Sequence, residues 1–339
     1  MKSILSLSPV QRRQLFEGAA QKLGIQEIII EKDFWVCWTL RELFAMPDVG
    51  EHLVFKGGTS LSKAWNAIDR FSEDIDVSLS RAWLGFGGEH DPENAGSQKK
   101  TDAVLENLAK ACVSKIESDI LPALKASAKR QFGNDAWNIE IDANDRQTLR
   151  FTYPCAFEQS PAKSTYIPRE VKIEFGARSD DWPADIKQMQ PYITDAFPDR
   201  IADTAISVRT LSVTRTFWEK ATILHAEFHR AAVGKLPRAR YSRHYADLAV
   251  LAEHESAARA LADIELLKRV STHKKVFFRS AEAKYDEACP GSFHLVPQQQ
   301  YLDLLEEDYR SMREMFFKEP PPWNEITSRL RSLEKQINR

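Results

Sequence analysis

Helical periodicity dominates the first stretch of the chain. Ser8-Pro9 supplies a capping side chain and then a proline at the first helical position, and Gly24 provides a stop, which predicts a helix between them. From Ile25 to Phe44 apolar residues occur all round the helical wheel except at Glu31-Lys32-Asp33, so a second helix is expected to pack against the first. His52 to Phe55 reads as a short strand ended by Gly57-Gly58, and Ser60 to Ile68 as a helix. Asp74 to Leu79 then alternates carboxylate and aliphatic residues, the period of a strand.

Gly85 to Gln98 offers no apolar periodicity and is predicted to be an exposed loop. Thr101 to Phe132 is helical with a break at Pro122, and three strands follow at Trp137 to Ala143, Thr148 to Tyr153 and Glu170 to Phe175. In the last of these Val171, Ile173 and Phe175 share one face, Lys172 and Glu174 the other. From Thr214 onward the pattern is almost entirely helical, with Pro320-Pro321-Pro322 setting off a terminal helix. The shift near residue 212 predicts two domains, 1–212 and 213–339, with no internal repeat.

Composition narrows the class. The 339 residues are 43% hydrophobic and 28% charged, as expected of a globular chain rather than a disordered or membrane-embedded one. A net charge of −2 excludes a chain-wide electrostatic signature for nucleic acid but leaves room for a local patch. Between Thr214 and Tyr245, Arg215, Lys220, Arg230, Lys235, Arg238, Arg240 and Arg243 face only Glu219 and Glu227. That cluster suits an RNA or nucleotide backbone, and it also suits an ordinary solvated surface. The four cysteines lack CxxC spacing, which argues against a zinc ribbon or a disulfide framework. No secretory segment is apparent, and the apolar stretch Ile28 to Met46 carries five charged residues, so no membrane association and a reducing cytoplasm are expected.

The segment richest in chemistry is Lys56-Gly-Gly-Thr-Ser-Leu-Ser-Lys63 followed by Arg70-Phe-Ser-Glu-Asp-Ile-Asp76. Two glycines between a strand and a helix let backbone approach a ligand closely, and free N–H groups at a helix start favour a phosphate. The spacing is not that of a Walker loop. Asp74 and Asp76 project to one face of a strand, where their mutual repulsion calls for a cation. Hard oxygen ligands beside phosphate select Mg²⁺, and two such ions can clamp an in-line phosphoryl displacement. Glu174 supplies a third carboxylate if its strand lies beside the first. Exposed acids on a solvated edge strand are the bland alternative, which leaves the diglycine unexplained.

A diglycine turn, a short helix and a strand bearing Asp-x-Asp resemble the DNA polymerase β-like nucleotidyltransferase superfamily. The fuller string K-G-G-T-x-L…R-x-S-x-D-x-D resembles the AbiEii/AbiGii toxin family within it. Glu31-Lys-Asp-Phe-Trp35, Glu219-Lys220-Ala221 and Arg243-His-Tyr-Ala-Asp247-Leu are similar to further family segments, in the family's order. The resemblance implies an α+β fold: a mixed sheet flanked by helices, then an α-helical domain. It implies nucleotide binding by Gly57, Gly58, Thr59, Lys63, Ser72 and Arg243, and metal binding by Asp74, Asp76 and, from the wider superfamily, Glu174. Lys220 and Asp247 would complete the catalytic set. The implied activity is Mg²⁺-dependent transfer of a nucleoside monophosphate from a nucleoside triphosphate to an acceptor hydroxyl. tRNA modified near its acceptor end is the implied acceptor, growth inhibition the effect, and a neighbouring antitoxin the implied partner. Transfer to a protein or small molecule, or a nucleotide-binding antiphage module without catalysis, are the competing readings.

In the later helices, Phe217, Ala221, Leu224 and Phe228 form an apolar stripe with Lys220 at its border. That lysine either snorkels to solvent or points into a phosphate site. Arg240, Arg243, His244 and Asp247 share one polar face, where an Arg243–Asp247 pair within the helix is the simplest arrangement. His225 and His229 lack the residue pattern of a zincin and are expected to border the core, and the eight tryptophans to be core or edge packing.

Overall fold

In the computed structural model, which describes residues 1–133, 136–157, 167–201 and 204–339, the chain is divided between two units. The first comprises Met1–Ala64, Phe71–Asp91 and Glu106–Thr210, and the second Trp65–Arg70, Pro92–Leu105 and Leu211–Arg339.

The first unit begins with a helical turn, α1 (Lys2–Leu5), and then α2 (Pro9–Leu23). Ser8 Oγ accepts from the Gln11 N–H while the Gln11 side chain accepts from the Ser8 N–H, and Gly24 closes the helix in the left-handed region. In α3 (Glu27–Phe44) every residue from Ile29 to Leu40 is buried, including Glu31, Lys32 and Asp33. Trp35 stacks on Tyr153 with ring centroids 5.5 Å apart, and Trp38 lies 4.8 Å from Phe132, so aromatic contacts build the core on this helix.

The sheet is mixed and seven-stranded, in the order β3-β4-β5-β2-β1-β7-β6. Its strands are β1 (Leu53–Lys56), β2 (Ile75–Leu79), β3 (Asn138–Ile141), β4 (Thr148–Thr152), β5 (Val171–Gly176), β6 (Ala184–Met189) and β7 (Ile206–Leu211). β1 runs antiparallel to β2 and parallel to β7, while β2 runs parallel to β5. This register places Lys56, Asp76 and Glu174 opposite one another across three neighbouring central strands. The strand carrying Glu174 therefore lies beside the strand carrying Asp76.

α4 (Gly57–Lys63) links β1 to β2. It starts at the diglycine, earlier than its side-chain pattern predicts, and ends well short of Ile68, with Asn66 in the left-handed region beyond it. α5 (Gln98–Lys115), a π turn over Ile116–Ile120 and α6 (Leu121–Phe132) follow. The predicted break at Pro122 is thus a widened turn just before a helix in whose first turn the proline, lacking an N–H, is tolerated. The first two predicted strands are shorter than expected, and the third keeps its length but is shifted by one residue. β6 and β7 have no counterpart in the sequence reading. β6 exposes Asp185, Ile186 and Gln188 and so lacks an apolar alternation, while β7 runs directly into the compositional shift that marked the boundary. A short helix, α7 (Tyr192–Ala196), completes this unit.

The second unit contains α8 (Val213–Ala232), α9 (Ser242–Leu251), α10 (Ser256–Ala262), α11 (Ile264–Phe277), α12 (Leu302–Ser311) and α13 (Trp323–Ile337). Ser212 Oγ caps α8 by accepting from the Arg215 N–H. Trp218 is fully buried and donates its indole N–H to the Ala260 carbonyl. Between α11 and α12 the chain forms short 3₁₀ turns and irregular stretches, a departure from the almost entirely helical pattern expected there. His225 is wholly buried, deeper than the border position expected of it, and Trp182 is an exposed exception among the tryptophans. No helix among the described residues is long and apolar enough to cross a membrane.

Candidate active site

The diglycine turn and the acid strand are built as one piece in the first unit. Gly57 has φ +77, and a Cβ added to it would lie 1.9 Å from Asp76 Oδ2, so the carboxylate occupies the space that any other residue would fill. Thr59, next but one, is buried and donates its Oγ1 hydrogen to the Asp74 backbone carbonyl. Ser60 Oγ donates to the Gly57 carbonyl at 2.8 Å and braces the turn. Asp74 stands just before β2 and Asp76 within it, both half-buried on either side of buried Ile75, the alternation a strand imposes. Lys56 Nζ lies 4.0 Å from Asp76 Oδ1. On β5, Lys172 pairs with Glu174, and although burial works against its ammonium this carboxylate holds its pKa above the usual value.

Two more of the expected nucleotide-binding residues are buried. Ser72 is buried beside the acid strand. Lys63, expected among the phosphate contacts, is turned into the protein: its ammonium lies 2.9 Å from Asp33 Oδ1, donates to the Gln190 carbonyl at 2.8 Å and sits 3.6 Å from the Tyr192 ring centroid. A buried ammonium satisfied in this way has a structural task, and extending it to a ligand would leave the Asp33 carboxylate uncompensated.

Lys220 and Asp247 come together in the second unit. Lys220 neither snorkels nor stands free; its Nζ donates to Asp247 Oδ2 at 2.8 Å and lies 3.5 Å from His244 Nδ1. Asp247 does not pair with Arg243 within the helix, because it accepts from Arg70, Nε to Oδ1 at 2.7 Å and Nη2 to Oδ2 at 2.8 Å. Burial alone would raise the Asp247 carboxyl, but Arg70 and Lys220 overcome it and hold it below the usual carboxylate range. Burial also lowers Lys220, an effect Asp247 opposes, and it pushes His244 well below the usual imidazole value, helped by Lys220 and Arg243. Arg243 is half-buried and, among the described residues, is paired with no carboxylate.

The basic stretch is largely neutralised at close range. Arg215 pairs with Glu219 at 3.1 Å, Lys220 with Asp247, Arg230 and Arg238 with Glu227, and Lys235 with Glu282. Its formal charge therefore overstates the field it presents. Arg70 had no role in the sequence reading, although it opens the motif that contains Asp74 and Asp76. Its partner is remote in the chain, so no local pattern could reveal the pairing.

Among the described residues no group of three or more His, Cys, Asp or Glu side chains gathers to hold a metal. The donors available are the half-buried carboxylates of Asp74 and Asp76, with Glu174 in register beside them. Mg²⁺ is commonly held by one or two carboxylates, the rest of its shell coming from water and substrate phosphates, so this donor set fits it.

The family model for the nucleotidyl transferase AbiEii toxin of type IV toxin–antitoxin systems matches residues 38–332. The chain belongs to the AbiEii family. It is accordingly a nucleotidyltransferase toxin of the type IV class, a family that implies a nucleoside triphosphate substrate and a cognate antitoxin. The AbiEii match encloses the diglycine, the acid pair, Lys220 and Asp247, whereas Glu31-Lys-Asp-Phe-Trp35 precedes it. No curated protein matches the chain. Among solved structures, MenT4, a nucleotidyltransferase toxin from Mycobacterium tuberculosis H37Rv, is similar over 98% of each chain, with 16% sequence identity and a TM-score of 0.45.

Proposed function

We propose that this AbiEii toxin transfers a nucleoside monophosphate from a nucleoside triphosphate to a hydroxyl of tRNA near its acceptor end, in a Mg²⁺-dependent reaction that inhibits growth. The observation that carries the reading is the Asp76 carboxylate seated against Gly57, which couples a close-approach turn directly to the acid strand. Gly57, Gly58 and Thr59 hold the triphosphate, with Ser72 beside them. Asp74 and Asp76 would hold the metal, while Glu174, in register with Asp76, is already paired with Lys172. When bound, Mg²⁺ supplies charge stabilisation to the transferring phosphate and the departing pyrophosphate.

The acceptor oxygen forms a bond to the α-phosphorus, the bond from that phosphorus to the bridging oxygen of the β-phosphate breaks, and the hydroxyl proton leaves to solvent. Lys220, held by Asp247, and Arg243 are the cations that the family resemblance assigns to the nucleotide phosphates. The toxin acts inside the cell, and its antitoxin is encoded nearby.

Incubation of the purified protein with each labelled nucleoside triphosphate and total tRNA tests the proposal. Label is expected in RNA with wild type and is expected to be lost with Asp74→Asn. Absence of transfer with all four nucleotides, or undiminished transfer by Asp74→Asn, overturns it. Label in a protein or small-molecule fraction overturns the tRNA assignment while retaining the chemistry.

A further inference from the structure

Glu31, Lys32 and Asp33 are consecutive, ionisable and each only 1% exposed. Neighbouring positions on a helix point about 100° apart, so one partner cannot serve all three. Each in fact holds a different segment. Glu31 Oε1 accepts from the Ala156 N–H at 2.6 Å and Oε2 from the Cys155 thiol at 3.2 Å. Lys32 Nζ donates to Glu73 Oε2 and to the Pro168 carbonyl, both at 2.8 Å. Asp33 binds Lys63 at 2.9 Å and accepts from the Tyr192 N–H at 2.6 Å.

Two of these partners are the ends of the nucleotide site's two arms. Glu73 immediately precedes Asp74, and Lys63 is the last residue of the helix that begins at the diglycine. The arms also meet each other, because Thr59 of that helix donates to the Asp74 carbonyl. A closed circuit results: Lys32 to Glu73, on to Asp74, across to Thr59, along α4 to Lys63, and back to Asp33 beside Lys32. The Lys32 charge additionally acts on Asp74. Apolar residues would pack α3 as well as Ile29, Ile30 and Phe34 do, and burying charge is costly, so stability alone does not account for three buried ionisable residues in a row.

We propose that Lys32 and Asp33 are positioning residues that set the spacing of the acid strand and the diglycine turn from behind. The inference rests on the reading of those two elements as the nucleotide site, and it assigns a task to a segment outside the residues matched by the AbiEii model.

The test compares Lys32→Gln and Asp33→Asn with Glu31→Gln, whose partners lie outside the two arms. Each variant is measured for nucleotidyl transfer, for binding of the α,β-methylene analogues of the four nucleoside triphosphates with Mg²⁺, and for amide hydrogen exchange. Lys32→Gln and Asp33→Asn are expected to lower turnover at least tenfold, to weaken analogue binding severalfold and to speed exchange in residues 57–63 and 73–79. Glu31→Gln is expected to do none of these at a comparable loss of melting temperature. Equal losses in all three that track only the folded fraction, with exchange in the two arms unchanged, overturn the proposal. Should Lys32→Gln fail to fold, Lys32→Arg, which keeps the charge and alters its reach, must show the same arm-specific effect or the proposal fails. Asp76→Asn separates the two readings. If it is fully active the site assignment falls; if it is inactive while the Lys32 and Asp33 variants behave as wild type, only the positioning role falls.

Discussion

Asp247 accepts the guanidinium of Arg70 in a two-pronged contact, at 2.7 and 2.8 Å, across 177 residues of sequence. With Lys220 on the same carboxylate, two buried cations share one buried anion. Asp247→Asn leaves both cations without their counter-charge and is expected to cost about 3–5 kcal/mol of stability, measured by urea unfolding. Arg70→Met combined with Asp247→Leu is expected to cost less than the sum of the two single changes, because residues of one network do not act additively. A strictly additive result would show that the contact carries no coupling.

Gly57 and Gly24 both adopt left-handed backbone, at φ +77 and φ +68, but only Gly57 faces another group. Alanine at either position is expected to cost roughly 1–2 kcal/mol through backbone strain. Gly57→Ala also displaces the Asp76 carboxylate, and a shift of about 1 Å at a reacting centre lowers turnover on the order of 100-fold. Thermal melting should therefore rank the two variants together, while the nucleotidyl-transfer rate separates them, with Gly24→Ala close to wild type.

The buried imidazole of His225 gives a pH dependence with a definite sign. Its Nδ1 accepts from the His294 N–H at 3.2 Å, so Nε2 carries the proton shared with the Lys284 carbonyl at 3.1 Å. Burial pushes its pKa down to about 4, against the upward pull of that carbonyl. The unfolded chain takes up a proton near pH 6.5 and the folded chain resists until about 4, so stability is retained above that window and falls as pH drops through it. The contribution amounts to about 3 kcal/mol across the whole window. His225→Gln is expected to flatten the difference in melting temperature between pH 7 and pH 5, and an unchanged slope would count against this assignment.

Arg243 lies beside Lys220 and His244 and lowers the pKa of both, yet it pairs with no carboxylate among the described residues. Arg243→Ala is expected to leave unfolding free energy within about 0.5 kcal/mol of wild type, as for other side chains free of buried partners. It is expected to raise KM for the nucleoside triphosphate severalfold in steady-state transfer. A stability loss without a change in KM would assign it to the fold instead.

Local chemistry made much of this protein legible. Ser8, Pro9 and Gly24 bound α2 because capping and left-handed backbone depend on the residues themselves. The strand period around Ile75 set Asp74 and Asp76 to one side because alternation is a local property. β6 escaped notice because an exposed edge strand needs no apolar alternation. The pairing of Lys63 is not legible locally, because its partner Asp33 lies in another helix.

By itself the sequence determined the two N-terminal helices, the diglycine followed by the acid pair, and the residue types from which a nucleotidyltransferase site is made. Only the tertiary structure decided which charges are engaged with one another: Asp247 with Arg70 rather than Arg243, Lys63 with Asp33, and Lys32 with Glu73. Helix and strand periods arise from neighbours in the chain, whereas an ion pair depends on distance and burial. Those follow only once segments far apart in sequence have been packed together.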